Sequence, residues 1–171
     1  FYRFASEGKA WSRWNASFAM EIYPIYALAT YADIFGDRTV LDYADACAAR
    51  LSALQLPDGG WPWMYDVRHG RVIEPLPIYS VHQDGMAPMA LLKLMRQSGK
   101  DYGVAVTKGI AWLRHNCLGI DMVDMQRQVI WRAQEIPRLF GLQPRLVINA
   151  LLASMLGKGL ISFGPIRLVQ E

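Results

Sequence analysis

A chain of 171 residues can bury one sizeable core, and with 53% hydrophobic against 19% charged residues it is neither a disordered tail nor a polar repeat. Its net charge is only +3 with no Lys/Arg run, so it lacks the concentrated basic stripe of a nucleic-acid binder, and no nucleic-acid partner is expected. The longest mostly apolar stretch, 146–156, is too short to span a bilayer, and membrane association is not indicated.

Phe1 in place of a starting Met, and an end at Gln170-Glu171 just after an apolar segment, read as the cut ends of a longer protein. Residues 1–171 are expected to form a single, incomplete domain. Cys47 and Cys117 have neither CxxC nor metal-ligand spacing and read as packing residues, so no metal site is expected. No pattern names a cofactor.

Pro24 is the first helix signal, because proline at the first helical position gives up an N–H that would be unpaired anyway. Leu28, Tyr31, Ile34 and Phe35 follow at near-helical spacing, and Gly36-Asp37 supplies a stop. Glu21, just ahead, reads as an exposed helix-start carboxylate. A second helix is expected over 39–54. Pro57-Asp58-Gly59-Gly60 is turn chemistry, after which Trp61, Trp63 and Tyr65 alternate along one face of an extended segment. Residues 67–72 read as a small hairpin with its turn near Gly70. Pro75 and Pro77 keep the chain extended until the helix signal at Asp84. Pro88 then opens a helix carrying Leu91, Leu92 and Met95, Ser98-Gly99 stops it, and a partner helix is expected over 102–116. Pro144, with Gln143 and Arg145 to Ile148, starts a third copy. Proline, stripe, stop and second helix recurring together predict an all-α array of repeated helical hairpins.

Gln55 to Trp61 reads Q-x-x-x-G-x-W with Leu51 four places before the Gln, and resembles the QW motif of the terpenoid cyclase and protein prenyltransferase superfamily. A partial second copy over 108–113 departs from the pattern, with Cys117 where the Gln would stand. The resemblance implies that the hairpins form part of an α/α toroid. It also implies a structural role for the motif, the Gln amide tying a helix end to the next turn while the Trp packs on it. The D-x-D-D acid motif of the cyclising members is absent, since Asp121-Met122-Val123-Asp124 does not match, and no prenyltransferase zinc set is recognisable. Gly59-Gly60-Trp61-Pro62 with Tyr65, followed by Tyr79, His82, Asp84 and Met86, is similar to the layout of toroid pectate lyases. Toroid glycosidases of the six-hairpin kind and epimerases share such Gly-Trp loops. This second resemblance implies action on a sugar polymer, acidic polymers included.

The residues themselves offer matching chemistry. Trp63 and Tyr65 present flat apolar faces with polar handles, suited to a pyranose, while Trp61 in the motif position reads as structural. Arg68 and Arg71 either clamp a carboxylate or are solvated hairpin charges. Asp66, Asp84 and Glu135 are the carboxylates from which a hydrolytic pair would be drawn. His82 titrates in the range useful for proton transfer, against the plainer reading of a packed histidine. Tyr79 could donate or accept a proton, and Asp84 either stands near the reacting centre or caps the helix. Arg132 and Glu135 either complete the cleft or pair with each other.

The leading expectation is a carbohydrate-processing protein, a polysaccharide lyase or glycoside hydrolase if it is an enzyme. His82, Tyr79 and Asp84 would then serve the reaction, and Trp63, Tyr65, Asp66, Arg68, Arg71, Arg132 and Glu135 would hold the carbohydrate. One alternative is an isoprenoid-handling cavity lined by the same aromatics. Another is a non-catalytic domain presenting its cleft to a partner, as an oligomer or with the remainder of a longer chain.

Overall fold

A computed structural model describes residues 15–77, 79–117 and 119–133, together with the helical positions Ile148 and Leu152. The chain opens with β1 (Asn15–Ser17) and turns at once into α1 (Phe18–Phe35). Ser17 makes the switch: its backbone is extended (φ −78°, ψ 163°), and its hydroxyl accepts the Met20 N–H at 3.4 Å. Gly36 ends α1 in the left-handed region (φ 71°), its N–H closing on the Ala32 carbonyl at 3.0 Å. α2 (Leu41–Ala53) returns alongside. A long connection then carries β2 (Met64–Asp66) and β3 (Arg71–Glu74) before α3 (Ala87–Ser98) and α4 (Gly103–Trp112). Gly99 closes α3 as Gly36 closes α1, with φ 78° and its N–H on Met95. A small hairpin of β4 (Val123–Asp124) and β5 (Val129–Ile130) follows.

The expectation of an all-α chain of repeated hairpins forming part of an α/α toroid is overturned. Four α-helices share the described residues with five strands in two antiparallel sheets. β1, β2 and β3 form one sheet, with Ala16 opposite Tyr65 and Tyr65 opposite Val72. The register slips between Met64 and Tyr65, so that Met64 faces Glu74. Aromatic and β-branched residues in 63–73 suit a pleated, half-buried surface, and the extended segment and hairpin expected there become β2 and β3 of a sheet that an all-α array does not contain. The prolines are also not equivalent. Pro24 lies in the second turn of α1, whereas Pro88 lies in the first turn of α3. Pro144 falls outside the described residues.

Of the apolar stripe expected on α1, Leu28 packs partly on the core, while the rest faces outward. Ile34 and Phe35 are 67% and 68% exposed, while Phe18, Ile22, Ile25, Ala29 and Ala32 form the buried face. Small residues at 29 and 32 let the buried face of α1 lie close to its neighbours, which brings more dispersion contact than bulky side chains at those points would allow. On α3, Leu91 and Leu94 are buried and Leu92 is exposed. Polar links reinforce this packing: Lys93 and Gln97 of α3 both reach Asp33 of α1, and Arg38 donates to the Gln97 carbonyl. Between α2 and the start of α4, the Tyr102 hydroxyl donates to the Asp45 carboxylate at 3.0 Å.

Candidate functional site

The sheet meets the helices at Trp63. Its carbonyl accepts the N–H of Phe18, the first residue of α1, at 3.0 Å, and its own N–H donates to the Glu74 carbonyl at 3.0 Å. The first N–H groups of a helix lack intrahelical partners, so this bond satisfies one of them and fixes the strand against the helix end. The Trp63 backbone is thereby held on both sides while its side chain stays half-buried.

A row of rings begins there. Trp63 meets Tyr79 edge to face, with centroids 6.3 Å apart and planes at 79°. Tyr79 lies 5.2 Å from the His82 ring, His82 lies 4.9 Å from Phe18, and Phe18 lies 5.2 Å from Trp61. The row runs from the half-buried Trp63 and Tyr79 down to wholly buried Phe18 and Trp61. Phe18, which the sequence reading did not single out, is the floor of the site.

His82 and Asp84 stand on a π-helical turn, His82–Met86, that leads into α3. The Ala87 N–H bonds back to the His82 carbonyl, five residues earlier. Pro88 has no N–H to offer the Asp84 carbonyl, which loosens the helical ladder at that point. π-turns of this kind concentrate at functional sites. Asp84 therefore does not cap α3; it lies inside the wide turn, half-buried. Burial pushes its carboxyl above the usual carboxylate range, partly offset by main-chain N–H groups of residues 84 and 85. His82 is only 5% exposed, and burial pulls its imidazole down to about 4. Its Nδ1 is sealed from solvent without a hydrogen-bond partner. An orphaned polar atom of this kind is uncommon in a folded chain and costs about 1–3 kcal/mol.

Gln83, between them, is a further residue that the sequence reading did not assign. Fully buried, its side-chain carbonyl accepts the Trp61 N–H at 3.0 Å, which ties the Gly-Trp loop to the π-turn. Trp61 is wholly buried and acts as a packing element, and Gln55 donates to Gly59 and to Ala105 in α4.

The remaining candidates divide. Tyr65 is wholly buried in the core, where burial first and the nearby Glu21 carboxylate second raise its phenol well above the ordinary value. Glu21 itself is 2% exposed, so it is not the surface carboxylate expected at a helix start. Asp66 is buried and enclosed by its own hairpin: Arg68 Nε and Arg71 Nε each approach it to 3.5 Å and His69 Nδ1 to 2.8 Å. Burial opposes ionisation of Asp66, but the His69 bond, the Arg68 N–H and the Arg68 charge together hold its pKa below the ordinary value. Arg50 of α2 completes this knot by donating to the Gly70 carbonyl. Arg132 comes close to the site through its backbone, its carbonyl accepting both the N–H and the hydroxyl of Ser80 at 3.0 and 3.1 Å, while Ala133 bridges to Tyr79. Glu135 lies outside the described residues. Among the described residues no group of three or more His, Cys, Asp or Glu is placed to hold a metal ion, and no helix is long and apolar enough to cross a membrane.

Comparison with protein-family models, with curated proteins and with solved structures finds no match in any of the three.

Proposed function

We propose that the chain binds carbohydrate on the face formed by Trp63 and Tyr79. The observation that carries this reading is their perpendicular, half-buried pairing, with the Trp63 main chain fixed at both N–H and carbonyl and the His82 ring beside Tyr79. Rings held in advance lose little freedom on binding, and a sugar ring stacks its C–H face on one while its hydroxyls turn to polar neighbours. Of the three carboxylates considered for hydrolysis, Asp66 is enclosed by its hairpin and Glu135 lies outside the described residues, which leaves Asp84, on the same π-turn as His82. Binding is therefore the reading the geometry supports best, with Asp84 the candidate proton donor if cleavage follows. An isoprenoid diphosphate has less support, since Arg68 and Arg71 are drawn to Asp66.

The test is Trp fluorescence titrated with oligosaccharides and, separately, with prenyl diphosphates. Saturable quenching by sugars that is lost in Trp63→Ala and weakened in Tyr79→Ala supports the reading. Quenching by diphosphates alone, or sugar quenching that survives Trp63→Ala, overturns it.

A second reading, a module that presents a face to a partner chain, is favoured by one observation. Met20, Tyr23, Tyr31 and Ile34 form an exposed stripe on α1, and Met89 and Leu92 on α3 are exposed as well. Concentration-dependent association abolished by Ile34→Asp would support it.

A further inference from the structure

Resting on the reading of α1 as a face for a partner chain, we infer that the partner is a second copy of this chain, docked head to tail with its α3 on the exposed stripe of α1. The case comes from a correspondence inside the fold. α1 and the segment leading into α3 begin alike: the Phe18 N–H donates to the Trp63 carbonyl and the Ser80 N–H to the Arg132 carbonyl, each at 3.0 Å. They also end alike, at Gly36 and Gly99, each N–H closing on a carbonyl four residues back. The second stretch is one residue longer, and the π-turn His82–Met86 takes up the extra residue. Counted back from the two glycines, Ile34, Thr30, Ala27 and Tyr23 of α1 stand where Gln97, Lys93, Ala90 and Met86 stand, and ahead of the π-turn Met20 matches His82.

Those positions belong to the side by which the second stretch packs on α1. His82 lies on Phe18 near the helix starts, with ring centroids 4.9 Å apart, and Lys93 and Gln97 both reach Asp33 near the ends, so the two helices run parallel. Met86 and Ala90 are buried in the core that α1 shares. On α1 the matching positions are open instead: Met20, Tyr23, Ala27 and Ile34 are all exposed, Tyr23 at 52%. α1 thus turns outward the side that the second stretch turns to α1.

The surface to receive it follows by the same count. α1 takes α3 on the side that carries Asp33, and Asp33 corresponds to Arg96. Leu92 and Met89 lie one and two turns before Arg96 on the same side of α3, and all three are exposed. The α1–α3 pair therefore ends in two different open sides, matched to each other by the contact that already joins the helices. Such a pair of sides makes a heterologous contact, in which the α3 of one copy takes the α1 of the next. Apolar surface on both sides supplies the drive. Where Lys93 meets Asp33 within the chain, Thr30 would meet Arg96 between copies, which brings no like charges together at that point.

Sedimentation of the whole chain over a concentration series tests the arrangement, with Ile34→Asp, Leu92→Asp and their mixture alongside, each variant checked for folding by circular dichroism. The unaltered chain should grow in mass beyond a dimer as concentration rises, a readout that needs no variant, because a head-to-tail contact leaves an open side at each end. Either variant alone should weaken association at least roughly tenfold, since it would bury a carboxylate in an apolar contact. Their mixture should form a one-to-one dimer and stop there, one intact α1 side meeting one intact α3 side. Association lost in Ile34→Asp but kept in Leu92→Asp overturns the head-to-tail arrangement and leaves the α1 face as a partner surface. Association that survives Ile34→Asp removes that reading and this inference with it. A chain that stays monomeric throughout overturns the second copy as the partner.

Discussion

Gln55 reaches across to α4: its side-chain amide donates to the Ala105 carbonyl at 2.9 Å while also holding the Gly59 carbonyl of its own turn at 2.8 Å. One side chain thereby links the turn after α2 to α4, two helices later. Gln55→Leu keeps much of the volume and leaves both acceptors without this donor. It should lower stability by about 1–2 kcal/mol, since the Gly59 carbonyl of the turn loses this donor and the link to α4 is cut. At this chain length that is a fall in melting temperature of about 2–4 °C per kcal/mol, measured by circular dichroism. An unchanged melting temperature would show the link to be dispensable.

Two glycines with similar backbone angles should respond very differently to alanine. Gly36 has φ +71° and nothing within 4 Å of an added Cβ, so Gly36→Ala should cost about 1 kcal/mol, the backbone term alone. Gly59 has φ +92°, and a Cβ there would lie 2.2 Å from the Lys108 carbonyl oxygen in α4. Gly59→Ala should cost about 2–4 kcal/mol, because the turn must lift off the helix. Urea midpoints compare the two, and equal shifts would contradict the close approach.

His82 sets a pH dependence with a definite sign. Its folded pKa is depressed to about 4 from an ordinary 6.5, so the unfolded chain takes up the proton first. Stability is full above about pH 6.5 and declines as the pH falls toward 4. The total for this one group is about 3 kcal/mol. Asp84 works the other way, since its raised carboxyl binds a proton more readily in the folded chain, and it acts at the acidic end of this range. Urea unfolding between these pH limits should show the loss, and His82→Phe should flatten it. A profile unaltered by that substitution would mean the imidazole is solvated.

Asp66 and its arginines separate structure from binding. Asp66→Ala leaves Arg68, Arg71 and His69 without their shared carboxylate and should cost about 1–2 kcal/mol, since Asp66 is buried but its three partners remain partly in water. Arg68→Gln and Arg71→Gln should lower the melting temperature slightly and leave sugar affinity within about twofold. A large loss of affinity in either arginine variant would restore the ligand clamp suggested by their residue types.

Much of the helical framework was legible because its signals are local. The stops at Gly36 and Gly99 depend on glycine reaching the left-handed region, and both helices end there. The turn at Gly70 is likewise a local preference, and Gly70 adopts φ 58° between β2 and β3. Proline was a weaker guide. The local rule allows it at a helix start, but at Pro24 the surrounding turns form without its N–H, so the apparent repeat joined two unlike positions.

At the site, residue types pointed to Trp63, Tyr79, His82 and Asp84, and the structure brings Trp63, Tyr79 and His82 into one row with Asp84 on the same π-turn as His82. Tyr65 shares the alternation of Trp61 and Trp63, yet it is buried in the helical core, on a strand paired with β1 that no residue in 61–65 announces. Sequence alone determined where helices stop, where the hairpin turns and which side chains carry useful chemistry, since each follows from a few adjacent residues. Only the tertiary structure decided which face of α1 is inside, that Asn15–Ser17 completes a sheet, that Asp66 takes both arginines, and that His82 is buried. Those outcomes depend on partners brought together from distant parts of the chain, whose packing and desolvation energies outweigh local preference.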